Sequence, residues 1–166
     1  VGGSGNGTLN ITNGGEVRSY QYAEIGAYSG SQGVVTVDGA GSIWTGQVGW
    51  GPFDLDVGQI GDGTLNIICG GQVISSSGSI GGSNGSTGVV TVDGVGSNWT
   101  NTRLYVGYYG NGTLTVTNGG TVNTVYAYGG NADIGYSSSS TGVVTIDGTG
   151  STWNLSRDLK VGSSGD

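Results

Sequence analysis

Three carboxylates, Asp54, Asp56 and Asp62, lie close together beside Pro52 and Phe53. Oxygen donors at that density could hold a calcium ion. The nonapeptide calcium pattern of β-rolls is absent, so no cofactor is expected and calcium is the single metal to test. Histidine is absent altogether. That removes Ser-His-Asp and Cys-His catalysis as well as histidine-bound zinc. Cys69 has no base beside it in sequence and occupies the place held elsewhere by Asn13 and Asn118, so it reads as an incidental substitution. Asp38, Asp93 and Asp147 each precede a glycine at an equivalent place. Acids that recur in this way read as turn chemistry, not as a catalytic pair. No catalytic residue is therefore assigned. Aromatic residues on segments that break the pattern are the better candidates for touching a partner such as a glycan or a protein receptor. These are Trp50 and Phe53 in Gly49–Asp54, and Tyr126 and Tyr128 in the stretch ending at Asp133, with Tyr20 and Tyr22 at the corresponding place upstream.

The elements that would position these groups follow from composition and repetition. The chain of 166 residues has 39 glycines, one proline and 9% charged residues, against about 25% charged in ordinary domains. Val, Ile and Leu recur in alternation, which argues against disorder, and there is no Gly-X-Y period to suggest collagen. Many short strands with glycine corners remain. The net charge of −7 with four Lys+Arg offers no basic face for nucleic acid or an anionic membrane. No apolar run is long enough for a membrane-spanning helix. Both ends fall inside the repeat and read as cuts through a longer array.

The motif VGxxGxGTL starts at Val1, Val57 and Val106, followed two residues on by Ile11, Ile67 or Val116, and Val161 opens a further copy. The repeats are thus 1–56, 57–105 and 106–160, with 161–166 partial. Each splits into two halves, VGxxGxGTLxIxxGGxV and IGxxxGSxGVVTVDGxGSxW. A half-unit of about 25–30 residues is the length of one β-helix coil. The expected fold is all-β: a right-handed parallel β-helix (β-solenoid) of about six coils, two per repeat, in one continuous segment. The handedness rests on the crossover preference of parallel strands. Alternation places Leu9/Ile11, Val35/Val37, Leu65/Ile67, Val90/Val92, Leu114/Val116 and Val144/Ile146 on one inner face. A further column should read Val17, Trp44, Val73, Trp99, Val122, Trp153. Its three tryptophans would then form a buried ladder with valines between them. The Thr-rich outer positions read as strand-favouring residues, and the Asn-X-Ser/Thr sites at Asn6, Asn10, Asn84, Asn98, Asn111 and Asn154 as surface positions.

These paired GTL and GSxW signatures resemble the autotransporter-associated repeats of type V secreted and PEP-CTERM-associated bacterial proteins, over essentially the whole chain. The resemblance implies an extracellular, cell-surface passenger region built as a β-solenoid, with no catalytic motif to carry over. The function expected is structural and adhesive: a rigid stalk or fibre whose length scales with copy number. Two other readings stand beside it. One is a carbohydrate-binding or polysaccharide-cleaving β-helix. The other is a self-assembling extracellular filament subunit joined end to end through its terminal coils.

Overall fold

The structure is a computed structural model that describes residues 1–46, 53–125 and 131–163. All regular elements among them are strands. The first coil is β1 (Asn6–Thr12), β2 (Glu16–Ser19) and β3 (Tyr22–Ile25); the second is β4 (Gln32–Asp38), β5 (Ile43–Gly46) and β6 (Phe53–Val57). The third has β7 (Asp62–Ile68) and one long strand, β8 (Gln72–Ile80), that rounds a corner without breaking. The fourth is β9 (Thr87–Asp93), β10 (Asn98–Asn101) and β11 (Arg103–Val106). The fifth is β12 (Asn111–Thr117), β13 (Thr121–Thr124) and β14 (Ala132–Ile134). The sixth is β15 (Thr141–Asp147), β16 (Thr152–Leu155) and β17 (Leu159–Val161).

Every pairing is parallel and joins successive coils, which makes a solenoid with three faces. The first face is a six-stranded sheet, β1-β4-β7-β9-β12-β15, with no register shift. The second and third faces are joined through β8. Leu9, Val35, Leu65, Val90, Leu114 and Val144 fall in one ladder, and Ile11, Val37, Ile67, Val92, Val116 and Ile146 in the next. The middle coils bury these residues completely; Leu9, Val144 and Ile146 in the end coils are more open because each has only one neighbouring coil.

Glycine is needed where the third face turns into the first. Gly2, Gly26, Gly58, Gly81, Gly107 and Gly135 have φ between 65° and 73°, a left-handed conformation that costs other residues. Opposite them runs an inner ladder of Gly7, Gly33, Gly63, Gly88, Gly112 and Gly142. A Cβ there would collide with backbone, such as the amide of Gly58 at Gly63 or the carbonyl of Val57 at Gly88.

The two-coil repeat has a physical cause. Ser42, Ser97 and Ser151 of GSxW each donate to the carbonyl of Asp38, Asp93 or Asp147 at 2.6 Å. The same hydroxyls accept from the amides of Gly14, Gly70 and Gly119 one coil earlier, at 2.9–3.1 Å. The tryptophan of the same signature also bonds backwards. Trp44 Nε1 donates to Ser19 Oγ (2.8 Å), Trp99 Nε1 to Ser75 Oγ (3.0 Å) and Trp153 Nε1 to Thr124 Oγ1 (3.1 Å). Each even coil is therefore bolted onto the odd coil before it, and no buried indole N–H among the described residues is left unpaired.

Volumes alternate in step. Val17, Trp44, Val73, Trp99, Val122 and Trp153 stand in register on the second face. Ala23, Leu55, Gly78, Leu104, Ala132 and Leu159 do so on the third. Odd coils are small at both positions and even coils large. A Cβ on Gly78 would lie 2.5 Å from Trp99 Cζ2 and 3.0 Å from Leu104 Cδ1, so the glycine makes the room that the indole fills.

Candidate functional site

Phe53, expected to face a partner, does not. It is fully buried and stacks on Trp44 with ring centroids 5.1 Å apart and 28° between planes. The reason is local alternation: Phe53, Leu55 and Val57 point inward along β6, which leaves Asp54 and Asp56 outside. Trp50, Tyr126 and Tyr128 lie outside the described residues. Asp54, Asp56 and Asp62 do not make a common donor set. The first two project from β6 on the third face, whereas Asp62 opens β7 on the first. No group of three potential metal-ligating side chains occurs among the described residues.

The repeated corner acids do more than cap their own turns. Asp147 Oδ1 accepts from the amide of Gly148 at 2.8 Å. Asp93 Oδ1 instead accepts from Thr117 Oγ1 (2.7 Å) and Asn118 Nδ2 (2.6 Å) of the next coil, and these bonds hold its carboxyl below the usual range. Cys69 shares the left-handed conformation of Asn13 and Asn118, with φ of 52° against 55° and 53°. Its exposed thiol faces Asp38, whose carboxylate pushes it up, away from a reactive thiolate.

The chemistry-bearing side chains gather on the outer side of the third face. Parallel register sets Glu24, Asp56, Ser79, Tyr105, Asp133 and Lys160 in one outward column. Asp56 accepts a short hydrogen bond from Ser79, and burial raises its carboxyl above the usual range despite that bond. Asp133 is 5% exposed and accepts from Ser163 Oγ at 2.6 Å. The adjoining corner adds Tyr108, Tyr109 and Tyr136. Tyr105 and Tyr108 have centroids 4.4 Å apart, Tyr108 and Tyr136 5.0 Å, and Tyr105 and Tyr136 5.2 Å edge to face. The guanidinium of Arg103 lies 5.9 Å from the centre of Tyr105. Burial raises the phenols of Tyr105 and Tyr108, the latter to about 12, so both keep their protons at neutral pH. Two hollows of about 250 and 300 Å³ open here; Arg103 and Tyr105 line both.

Sequence reasoning missed this cluster and the serine partners of the tryptophans. The partners did leave a signal: Ser19, Ser75 and Thr124 all stand two residues after the ladder valine of an odd coil.

Six rungs of parallel strands with two-coil internal order define a β-solenoid repeat protein. No protein-family model matches the chain, and no solved structure matches it significantly. It is 36% identical over 140 residues to the adhesin BmaC autotransporter of Brucella suis biovar 1, which covers 82% of this chain and 4% of that protein. It is 34% identical over 151 residues to the uncharacterized lipoprotein YdeK of Escherichia coli K12, which covers 87% of this chain and 11% of that one. The chain thus spans a small fraction of the curated relatives it matches. The repeat signatures, the fold and these similarities together mark it as a β-solenoid repeat segment of the autotransporter-associated type.

Proposed function

We propose that the chain is a non-enzymatic stalk segment of a bacterial surface protein, one that sets adhesive surface away from the cell. The observation that carries this reading is the unbroken register of the first face through all six coils. Continuous parallel stacking gives a stiff rod that lengthens by about 4.8 Å per coil. Similarity to an autotransporter adhesin and to a lipoprotein supports a place at the cell surface. The acids that recur at the corners are engaged in holding turns and coils together, which favours structure over hydrolysis.

The test combines shape and adhesion. Small-angle scattering on the chain, and on a version with an added copy of residues 57–105, should show an elongated particle that grows by about 10 Å for the two added coils. Bacteria displaying the chain should adhere more than bacteria displaying an unrelated domain. A compact particle, or release of reducing ends from polysaccharides by the purified chain, would reject the proposal.

A further inference from the structure

The third face carries a set of side chains that the repeat does not require. Tyr108 and Tyr136 occupy the place held in earlier coils by Gly3, Ala27, Gln59 and Gly82, directly after the left-handed corner glycine. Tyr105 stands in a column otherwise made of Glu24, Asp56, Ser79, Asp133 and Lys160. A group needed to hold the solenoid together would recur every two coils, as the tryptophans and serines do. These tyrosines are confined to the fourth, fifth and sixth coils.

Nor do they behave as core. Tyr105, Tyr108 and Tyr136 are half-buried and Tyr109 is 43% exposed. Their rings meet at tilted and edge-on angles, 32° for Tyr105–Tyr108 and 76° for Tyr105–Tyr136, which leaves a corrugated aromatic floor. On one side of Tyr105 the hollow holds Asp54 and Asp56; on the other it holds Asp133 and Lys160. Arg103 and Tyr105 belong to both, so the two hollows lie side by side across the coils with the Tyr105 ring between them, a groove in two parts.

From this we infer that the groove on the third face binds a linear, uncharged oligosaccharide lying along the solenoid axis. Ring faces rich in electron density attract the polarised C–H faces of pyranose rings. Carboxylates, a serine hydroxyl and cationic groups spaced around such a floor can accept from and donate to sugar hydroxyls, which fix orientation. The charge balance selects against the other glycan class. Asp54, Asp56 and Asp133 outnumber Arg103 and Lys160 along the groove, and a net charge of −7 with four Lys+Arg on the whole chain disfavours a polyanionic chain such as a sulfated glycan. The groove runs in the direction in which coils are added, so an extended chain meets one rung after another.

The inference rests on the adhesive half of the function proposed above, and its test separates the two. The purified chain would be run through native gels containing soluble neutral polysaccharides, a hydroxyethylated β-glucan and a galactomannan, and titrated with the matching hexaoses by calorimetry. A heparin-derived hexasaccharide is the charged comparison. Retardation by at least one neutral polymer is expected, with no binding of the heparin fragment. Tyr105→Ala and Tyr136→Ala should each weaken binding about tenfold, as truncation of an aromatic anchor does. Tyr28→Ala, exposed but outside the groove, should leave it unchanged. Tyr136→Phe keeps the ring and should retain most of the affinity. Scattering on the same samples reports whether the rod is intact. An intact rod that binds none of the neutral polymers, prefers the heparin fragment, or binds as well without Tyr105 and Tyr136 would overturn the inference while leaving the stalk reading standing. Loss of the rod itself would count against the stalk.

Discussion

Single side chains decide how the interior closes. Trp99 is fully buried with its indole N–H on Ser75. Ser75→Ala removes the acceptor and strands a buried donor, at a cost of about 1–3 kcal/mol. Ser19→Ala should cost less, because Ser19 is only half-buried beside Trp44 and water can reach the vacated site; denaturant titration of the two variants compares them. Gly78→Ala places a methyl against the Trp99 ring, and overpacking of that kind costs about 1–3 kcal/mol. The same substitution should cost measurably less in a Trp99→Leu background, since the two positions share one space. Asp56 sets a pH dependence. Burial raises its carboxyl, so the folded state favours the protonated form. That contribution is complete in acid and lost as pH rises through the folded value. Asp56→Asn, permanently neutral, should therefore gain stability over the parent as pH climbs from acid to neutral, read by unfolding midpoints across that range. Asp93 has the opposite sign: its lowered carboxyl stabilises above the ordinary aspartate range and loses that effect in acid. Its exposure to solvent keeps the effect small.

At the scale of elements, the first face was the most legible, because alternation and an invariant Gly-to-Gly corner define both which residues point inward and where the strand starts. The second face was nearly as clear through its Val/Trp column. The third was the least readable. Its strands vary in length, one being the continuous β8 and another the three-residue β14, and its outward residues follow no repeat. Phe53 illustrates the difficulty. Its place on a pattern-breaking segment suggested a surface role, yet the Phe53-Asp54-Leu55-Asp56-Val57 alternation already marked it as inward. The asparagines of the second face form a ladder as well, Asn123 to Asn98 at 2.7 Å and Asn154 to Asn123 at 2.8 Å. Amide ladders of this kind tie successive coils together from outside, both within a repeat and across its boundary.

For the whole molecule, the unit of construction is a pair of coils. Serine and tryptophan of each GSxW bond to the coil before, and large residues fill what small ones leave. Deleting residues 57–105 removes one complete pair and joins like to like, so the product should unfold cooperatively with little loss of midpoint. Deleting residues 57–79 removes a single coil and sets the Trp44 rung beside the Trp99 rung. That product also lacks Gly70 and Ser75, the partners of Ser97 and Trp99. It should unfold at much lower denaturant or fail to fold. Equal stability of the two deletions, measured side by side, would contradict the pairing.

What the amino-acid order determined alone is the coil: glycine corners where only a left-handed residue fits, alternation that assigns inside and outside, and a repeat that lines equivalent residues up. Each of these is a local rule of backbone and pattern, so it can be read one copy at a time. Only the tertiary structure decided which different residues meet. Arg103, Tyr105, Asp133, Tyr136 and Lys160 come from three successive coils, and their residue types follow no repeat. They become one groove because stacking brings positions a full coil apart in sequence to within side-chain reach.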